Sequence, residues 1–320
     1  MRILLIGGGW SNEREVSLSG AEIIRGTLNE LGHQVTFFDP AHQFRNLPEL
    51  AAESDFAFIN LHGSPGEDGL IQALLEQIGL PYQGSGPAAS KLALNKAATK
   101  SLLERAGLPT PAWEFLPAPP AASWRPSLKL PLVLKPNTGG SSLNVQLIET
   151  RTELEQELGK ASARGDELII EQRISGPEIT CGVLESEALP PILIEPADSS
   201  TFFDYYSKYT PEAALETCPA PISEELTRRI QDMALHVHTL LGLHGYSRTD
   251  FILENNEHPV ILEVNTLPGM TPTSLFPQEA AALGYSFQEV IHRLIQAGCT
   301  RSAAGPAQDP GGRAGPRTRA

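Results

Sequence analysis

Short apolar runs alternate with segments of helical spacing in the first part of the chain. The runs RILLIGGG, HQVTFFD and DFAFINLHG are typical of buried strands. Between the first two runs, apolar side chains recur every three or four positions, at Ala21, Ile24, Leu28 and Leu31. The segment LIQALLEQI has the same spacing and predicts another helix. Strands that alternate with helices indicate a parallel, helix-covered sheet, which predicts an α/β domain over residues 1–86.

The middle of the chain mixes the two patterns in an α+β manner. The segment SKLALNKAATKSLLERAG predicts one helix, and the proline-rich passage after it requires a loop or an extended edge. LPLVLKP and LNVQLIE indicate two strands joined by a glycine-serine loop. A polar helix, TELEQELGKASA, and a further strand, ELIIEQRI, follow. These patterns predict a small second domain over residues 87–176.

The last third of the chain predicts another mixed domain over residues 177–298. It contains further strands, a helix near residues 223–242, a hairpin at 248–265 and a helix near 286–297. Residues 299–320 hold four Gly, three Pro, five Ala and four Arg, with no large apolar side chain. Such a segment has nothing to bury in a core, so we expect a disordered tail over residues 299–320.

Composition and charge exclude several classes of protein. The chain has 320 residues and is 41% hydrophobic and 19% charged, which excludes a fibrous or wholly disordered protein. Lys and Arg number 24 and Asp and Glu 38, which gives a formal charge of −14. This charge disfavours nucleic acid and anionic membrane as partners. It does not exclude an anionic small ligand, because local charge can oppose the total.

Cysteine spacing and the lack of a long apolar run predict the compartment. The three cysteines, Cys181, Cys218 and Cys299, form no CxxC pair, so neither a disulfide framework nor a zinc site is indicated. No apolar run is long enough for a membrane helix, and the first residues do not resemble a signal peptide. We therefore expect a cytoplasmic protein.

The hairpin RTDFILENNEHPVILEVNT carries the most informative polar residues. With NNEH as its turn, Asp250 lies opposite Glu263, and Asn265 points to the same side as Glu263. Like charges directly opposite one another destabilise a sheet, so a cation between them would explain the arrangement. Oxygen ligands of this kind favour Mg²⁺. The alternative is a solvated face on which Arg248 balances Asp250.

Two glycine-rich loops are candidates for anion binding. KPNTGGSSLN joins two strands and follows Lys135, so its backbone N–H groups and that lysine could hold phosphates; a flexible hairpin is the alternative. The N-terminal GGG lacks the third glycine of a dinucleotide fingerprint, but the helix after it could still bind an anion. Glu15, in the first turn of that helix, either complements the helix dipole or binds an ammonium group.

Several blocks occur in order along residues 1–298: GGGWSNEREVSLSG, LHGSPGEDGLIQALLE, GLPYQGSG, LKPNTGGSS, ISGPE, FFDYYSKY and LEVNTLPGMTPTSL. Together they resemble the D-alanine–D-alanine ligase family of ATP-grasp enzymes. The resemblance implies a three-domain ATP-grasp fold with an N-terminal parallel-sheet domain, and ATP held between the second and third domains. It also implies a homodimer.

The activity implied by the resemblance is the ligation of two D-alanine molecules for peptidoglycan. ATP would phosphorylate the carboxylate of the first D-alanine, and the amine of the second would attack the acyl phosphate. A carboxylate at neutral pH is a poor acyl donor until one of its oxygens becomes a leaving group. The protein would therefore contribute mainly positioning and charge neutralisation.

The resemblance also assigns roles to individual residues. ATP would contact Lys96, Lys135, Ser142, Glu171, Glu178 and Lys208, with Glu171 at the adenine and Glu178 at the ribose. Mg²⁺, with Mn²⁺ as an alternative ion, would be held by Asp250, Glu263 and Asn265. Lys208 and Tyr209 would belong to a loop that closes over the site.

The resemblance places the remaining residues at the two D-alanine sites. Glu15 would bind the ammonium of the first D-alanine, with His62 nearby and with Ser141 and Tyr209 linked to it by hydrogen bonds. Arg248 would stabilise the oxyanion. Ser274 and the backbone of Gly269 would hold the carboxylate of the second D-alanine.

Three other functions remain open at this point. One is an ATP-grasp ligase for other amino acids, and another is a nonenzymatic nucleotide-binding protein that retains the fold. Keeping so many buried charged groups without a ligand would be costly, which disfavours the second. A Rossmann dehydrogenase fits least, because the glycine pattern departs from its fingerprint.

Overall fold

A computed structural model of the chain describes residues 1–118, 120, 124–140, 144–196 and 214–304. Within these ranges the strands form three β-sheets, and helices cover them. None of the helices in the described ranges combines the length and the apolar character needed to cross a membrane.

The N-terminal sheet is parallel, as the alternation of strands and helices predicts. Strands β1 (Arg2–Gly7), β2 (Gln34–Phe38) and β3 (Phe56–Asn60) pair in the order β2-β1-β3. Helix α1 (Arg14–Glu30) buries the face that carries Ala21, Ile24 and Leu28, with its other side in solvent. The connections contain α2 (Pro40–Gln43), a 3₁₀ turn (Phe44–Asn46), α3 (Leu47–Ala52) and α4 (Leu70–Ile78).

The segment predicted as one helix after the N-terminal sheet forms two. Helix α5 (Pro87–Leu94) ends at Asn95, whose backbone is extended, with φ −82° and ψ 98°. The Asn95 side chain accepts a hydrogen bond from the backbone N–H of Ala98 and so caps helix α6 (Lys96–Arg105). The break arises because asparagine at an N-cap satisfies a backbone donor that would otherwise have no partner.

The central sheet has four antiparallel strands in the order β4-β7-β5-β6. They are β4 (Trp113–Leu116), β5 (Leu132–Pro136), β6 (Gln146–Ile148) and β7 (Leu168–Gln172). Strand β4 lies in the proline-rich passage and forms an edge of the sheet, where prolines are tolerated. Helix α7 (Arg151–Arg164) begins with a capping box between Thr150 and Glu153 and covers a small core of its own.

The third sheet has the strand order β11-β10-β8-β12-β13, with β9 paired to β8. Its strands are β8 (Glu178–Leu184), β9 (Glu187–Ala188), β10 (Ile192–Pro196), β11 (Ala214–Thr217), β12 (Tyr246–Glu254) and β13 (His258–Asn265). Helix α8 (Glu224–Leu240) packs on this sheet through Ile230, Ala234 and Val237, which lie on one side of the helix.

The C-terminal helices connect this sheet to the N-terminal one. Helix α9 (Leu275–Ala282) is followed by α10 (Phe287–Ala304), and both contribute to the hydrophobic core around β1 and β3. The helix therefore continues through residues 299–304, where the sequence predicted the start of a disordered tail. Residues 305–320 lie outside the described residues. The predicted domain boundaries at residues 86, 176 and 298 stay predictions.

Candidate active site

A cavity of about 810 Å³ lies where the three parts of the fold meet. Its wall combines the start of α1 and the β3–α4 loop with α5, the start of α6 and the third sheet. The sequence-predicted residues that line it are His62, Lys96, Glu178, Arg248, Asp250, Glu263, Asn265, Gly269 and Ser274. The structure thus brings together residues from distant parts of the chain.

The hairpin of β12 and β13 has the pairing that the sequence predicts at its polar end. Asp250 pairs with Glu263, and Arg248 pairs with Asn265. His258 belongs to β13 and not to the turn. The turn is therefore one residue shorter than predicted. A bulge shifts the register between Asp250 and Phe251 and compensates for the shorter turn.

Arg248 and Asp250 form a two-point ion pair at the cavity wall. The Arg248 Nε and Nη2 atoms donate to Asp250 Oδ1 and Oδ2 over 2.7 and 2.8 Å. Burial acts to lower the pKa of Arg248, but the Asp250 carboxylate outweighs it and leaves that pKa raised. The Thr180 hydroxyl donates to Asp250 Oδ1 over 2.7 Å and fixes the carboxylate from the neighbouring strand. Arg248 is therefore a permanent, oriented positive charge.

The proposed metal ligands supply oxygen atoms only. Asp250 Oδ2 accepts one hydrogen bond, from Arg248, and Asn265 Oδ1 accepts one, from the Leu267 N–H at 2.9 Å. Each oxygen therefore keeps a lone pair. No cluster of three or more His, Cys, Asp or Glu side chains suited to a metal occurs among the described residues. Two carboxylates and one amide suit Mg²⁺, which usually keeps waters and substrate phosphates among its ligands.

Lys96 connects two walls of the cavity. Its Nζ donates to the Gly139 carbonyl over 2.7 Å, at the glycine-rich loop, and lies 3.5 Å from Glu263 Oε2. The lysine is 8% exposed. It therefore presents a positive charge between the loop that the sequence predicts to hold phosphates and the strand that carries Glu263.

Lys135 and Glu171 lie together in a buried ion pair. Glu171 Oε1 is 2.9 Å from Lys135 Nζ and 2.9 Å from Lys100 Nζ. Burial acts to raise the pKa of Glu171, but the two ammonium groups outweigh it and leave that pKa lowered. Neither Lys135 nor Glu171 lines the cavity. The nucleotide roles that the resemblance gives them stay predictions.

Glu13, not Glu15, faces the cavity at the start of α1. Glu15 is exposed and does not line the cavity, whereas Glu13 is buried and does. Helix α1 begins at Arg14, so Glu13 is its N-cap. Positions two apart at a helix start point in different directions, and only the first of these carboxylates turns inward. The structure therefore places Glu13, and not Glu15, at the cavity, and Glu13 is the candidate for the role that the resemblance gives to Glu15.

Two further titratable groups stand beside Glu13. Burial, reinforced by the charge of Glu13, raises the pKa of Glu67 to about 8, although the Gly63 N–H donates to Glu67 Oε2 over 3.0 Å. Glu67 therefore holds a proton near neutral pH. Burial lowers the pKa of His62, with Glu13 opposing that effect, so the imidazole is neutral near pH 7. The sequence block HGSPGEDG contains Glu67, but its spacing alone assigns it no role.

Ser274 and Gly269 lie side by side in the cavity lining. A Cβ added at Gly269 would stand 3.0 Å from Ser274 Oγ, so glycine permits this close approach. The Ser274 hydroxyl contacts Thr271 Oγ1 at 2.8 Å and accepts from the Thr271 N–H at 3.2 Å. Ser274 is the N-cap of α9, where a carboxylate is favoured.

The remaining predicted residues, Ser141, Ser142, Lys208 and Tyr209, lie outside the described residues. Sequence reasoning missed Glu13, Glu67, Thr180 and Lys100. For Glu13 the signal was its place directly before the helix. Thr180 and Lys100 gave no local signal, because their partners come from distant parts of the chain.

Fold and site together define an ATP-grasp enzyme, and comparison with known proteins specifies the family. The family model described as "D-ala D-ala ligase C-terminus" matches residues 102–296, and that described as "D-ala D-ala ligase N-terminus" matches residues 39–85. The chain belongs to the D-alanine–D-alanine ligase family.

Individual relatives agree over nearly the whole chain. The D-alanine–D-alanine ligase of Nitratidesulfovibrio vulgaris is 58% identical over 300 residues, which cover 94% of this chain and 99% of that protein. That of Oleidesulfovibrio alaskensis is 59% identical over 298 residues, covering 93% and 96%. The structure of the Bacillus anthracis D-alanine–D-alanine ligase complexed with ATP superposes with a TM-score of 0.85 at 30% identity. It covers 96% of this chain and 100% of that one.

Proposed function

We propose that the protein joins two D-alanine molecules into D-alanyl-D-alanine at the expense of ATP, and that the product serves peptidoglycan synthesis. Family membership supports the reaction type. The observation that carries the assignment is that Glu13, Arg248 and Ser274 line one cavity together with Lys96 and Glu263. These residues supply the charges that a ligation between two amino acids requires.

The first D-alanine binds at the end of the cavity formed by α1. The Glu13 carboxylate binds its ammonium group, and neutral His62 stands beside it. This directs the carboxylate of the substrate toward Arg248, which lines the same cavity. Because the substrate is held at both its ammonium and its carboxylate, the groups that react in the phosphoryl transfer are already positioned, as in an intramolecular reaction.

The nucleotide phosphates lie near Lys96, which already connects the glycine-rich loop to Glu263. Glu178 lines the same cavity and suits the ribose hydroxyls as an acceptor. Asp250, Glu263 and Asn265 would hold Mg²⁺, with Mn²⁺ as the alternative ion. When bound, the cation neutralises charge on the phosphates.

The second D-alanine binds through its carboxylate at Ser274 and the Gly269 backbone. Its amine then faces the acyl phosphate of the first. As the carbonyl carbon becomes tetrahedral, Arg248 stabilises the negative oxygen, and expulsion of phosphate completes the peptide bond. Arg248 can do this without reorganisation, because Asp250 already fixes its guanidinium.

Phosphate release gives the first test. Purified protein with ATP and Mg²⁺ should release phosphate when D-alanine is added and not when L-alanine is added. Preference for another amino acid in a panel of D- and L-isomers would favour the alternative, a ligase with a different acceptor. The absence of turnover with every member of the panel would contradict the assignment.

A homodimer and a cytoplasmic location complete the proposal. The family resemblance implies the dimer, and the cysteine spacing with the lack of a long apolar run predicts the location. Light scattering coupled to size-exclusion chromatography would give a mass near twice 34.5 kDa if the protein is a dimer. A mass near 34.5 kDa across the accessible concentration range would contradict the dimer.

A further inference from the structure

Lys100 is a buried lysine that lies outside the cavity and has no part in the proposed mechanism. It lies on α6 one turn after Lys96 and is 1% exposed. Its Nζ is 2.9 Å from Glu171 Oε1 and donates to Thr110 Oγ1 over 2.6 Å. Burying an ammonium group is costly unless its partners repay the lost hydration. Lys100 therefore needs an explanation.

Lys100 sets the net charge of the cluster that contains Lys135. Both lysines approach the same oxygen of Glu171 at 2.9 Å. Two ammonium groups and one carboxylate leave one positive charge. If Lys100 were neutral, the charges of Lys135 and Glu171 would cancel. Lys135 alone would then neutralise the buried carboxylate of Glu171. Lys135 would then be less available to a nucleotide phosphate.

Lys100 also connects two sheets. Glu171 belongs to β7 of the central sheet, and on the other side the Thr110 hydroxyl donates to the Ile261 carbonyl over 2.9 Å. The Ile261 N–H donates to the Pro109 carbonyl over 2.9 Å, so the loop before β4 is attached to β13. Ile261 lies two residues before Glu263. The chain of contacts thus runs from Lys135 to the strand that carries a proposed metal ligand.

We propose that Lys100 is a positioning residue for the nucleotide, which keeps Lys135 available to the ATP phosphates and holds β7 against β13. This inference rests on the proposed function and on the nucleotide roles that the family resemblance gives to Lys135 and Glu171. Lys100 acts through these two residues and through Thr110, without contacting the nucleotide itself.

The electrostatics of Lys100 give the inference a pH signature. Burial lowers the pKa of Lys100 to about 8, with Glu171 opposing the shift and Lys135 and Lys96 adding to it. The remaining polar neighbour, Thr110, is uncharged. As the pH rises through 8, Lys100 loses its proton, and the cluster loses the charge that keeps Lys135 available. The KM for ATP should therefore rise above pH 8.

Lys100→Met is the decisive variant, and Lys91→Met is its matched control. Lys91 lies on α5 and is exposed, so its substitution removes a lysine without touching the cluster. We expect Lys100→Met to raise the KM for ATP about tenfold or more, with kcat and the KM for D-alanine within about twofold of the wild type. Lys91→Met should leave all three constants unchanged. The wild-type rise in ATP KM above pH 8 should be absent in Lys100→Met.

Direct binding separates this inference from the proposed function. In calorimetric titrations with ADP, Lys100→Met should bind more weakly than the wild type, whether or not either protein ligates D-alanine. An unchanged ADP affinity in a folded Lys100→Met would overturn the inference and leave the ligase assignment intact. If Lys100→Met does not fold, the ADP affinity of Thr110→Val and the pH dependence of the wild-type KM for ATP test the inference instead. An ATP KM that is flat from pH 7 to 9.5 would contradict the role of Lys100.

Discussion

The guanidinium of Arg301 lies over the ring of Tyr82, with its central carbon 4.0 Å from the ring centroid. The same side chain donates to the Gly84 carbonyl over 3.0 Å. Arg301 comes from the last turn of α10, and Tyr82 and Gly84 come from the segment that leads into α5. The end of helix α10 is therefore attached to the segment between α4 and α5, and α5 forms part of the cavity wall.

Truncation experiments test this attachment. A chain that ends at Ala304 should keep the wild-type free energy of unfolding, because it keeps Arg301. A chain that ends at Gly298 should lose about 1–3 kcal/mol of unfolding free energy, since it loses a cation–π contact, a hydrogen bond and the last helical turn. Urea unfolding of both chains measures the difference. Equal stability of the two would show that the contact contributes nothing.

The tail prediction shows where composition misleads. Residues 299–304 have no large apolar side chain, and composition alone therefore gave them no core. Helix α10 nevertheless continues, with Cys299 packed against the core and Arg301 in contact with an aromatic ring and a carbonyl that are distant in sequence. Contacts of this kind depend on the tertiary fold, and no local pattern predicts them.

Glu13 and Glu15 give a paired test of the amine site. Glu13→Gln should raise the KM for the first D-alanine by about 10- to 100-fold, because it removes a charged partner of the substrate ammonium, worth roughly 1.5–3 kcal/mol. Glu15→Gln removes the same charge two residues away and should leave that constant within about twofold. Steady-state kinetics with D-alanine as the varied substrate measures both. A larger effect at Glu15 than at Glu13 would show that Glu15 binds the substrate ammonium.

The hairpin shows what local sequence can predict. Asp250 and Glu263 belong to adjacent strands joined by a short turn, so their pairing follows from counting residues, and the bulge preserves it. Glu171 shows the opposite case. Its partners Lys100 and Lys135 come from a helix and another strand, so their meeting depends on how the central sheet packs. Glu13 was missed because the exact start of α1 decides which carboxylate turns inward.

Glu263→Gln tests the proposed metal ligands. Because an amide holds a divalent cation more weakly than a carboxylate, the Mg²⁺ concentration for half-maximal turnover should rise about tenfold or more. Glu257→Gln, in the exposed turn of the same hairpin, is the control and should leave that concentration unchanged. A titration of turnover against Mg²⁺ distinguishes the two. An unaltered Mg²⁺ requirement in Glu263→Gln would refute its role as a ligand.

We expect His238 to make the protein less stable at acidic pH. Burial lowers its pKa to about 4, with a smaller contribution from His244, and its Nδ1 lies 2.7 Å from Ser247 Oγ. Below about pH 6.5 the unfolded chain binds a proton that the folded chain does not, so the unfolding free energy decreases as the pH is lowered. The decrease ends near pH 4, where the folded state also binds that proton. Over this window it amounts to about 3 kcal/mol for this residue.

Urea unfolding of the wild type and His238→Gln between pH 4 and 8 measures this contribution. The variant is expected to be less stable at pH 8, because it disturbs a buried hydrogen bond, but to lose less stability on acidification. Parallel curves for the two proteins would show that His238 does not cause the acid sensitivity.

Consumption of ATP to join two D-alanine molecules fixes the ratio of the reaction products. The most direct measurement is the stoichiometry of the completed reaction, with D-alanyl-D-alanine quantified by mass spectrometry beside ADP and phosphate. We expect one dipeptide, one ADP and one phosphate per turnover, with two D-alanine molecules consumed. Release of ADP and phosphate without dipeptide, or a dipeptide built from other amino acids in preference to D-alanine, would contradict it.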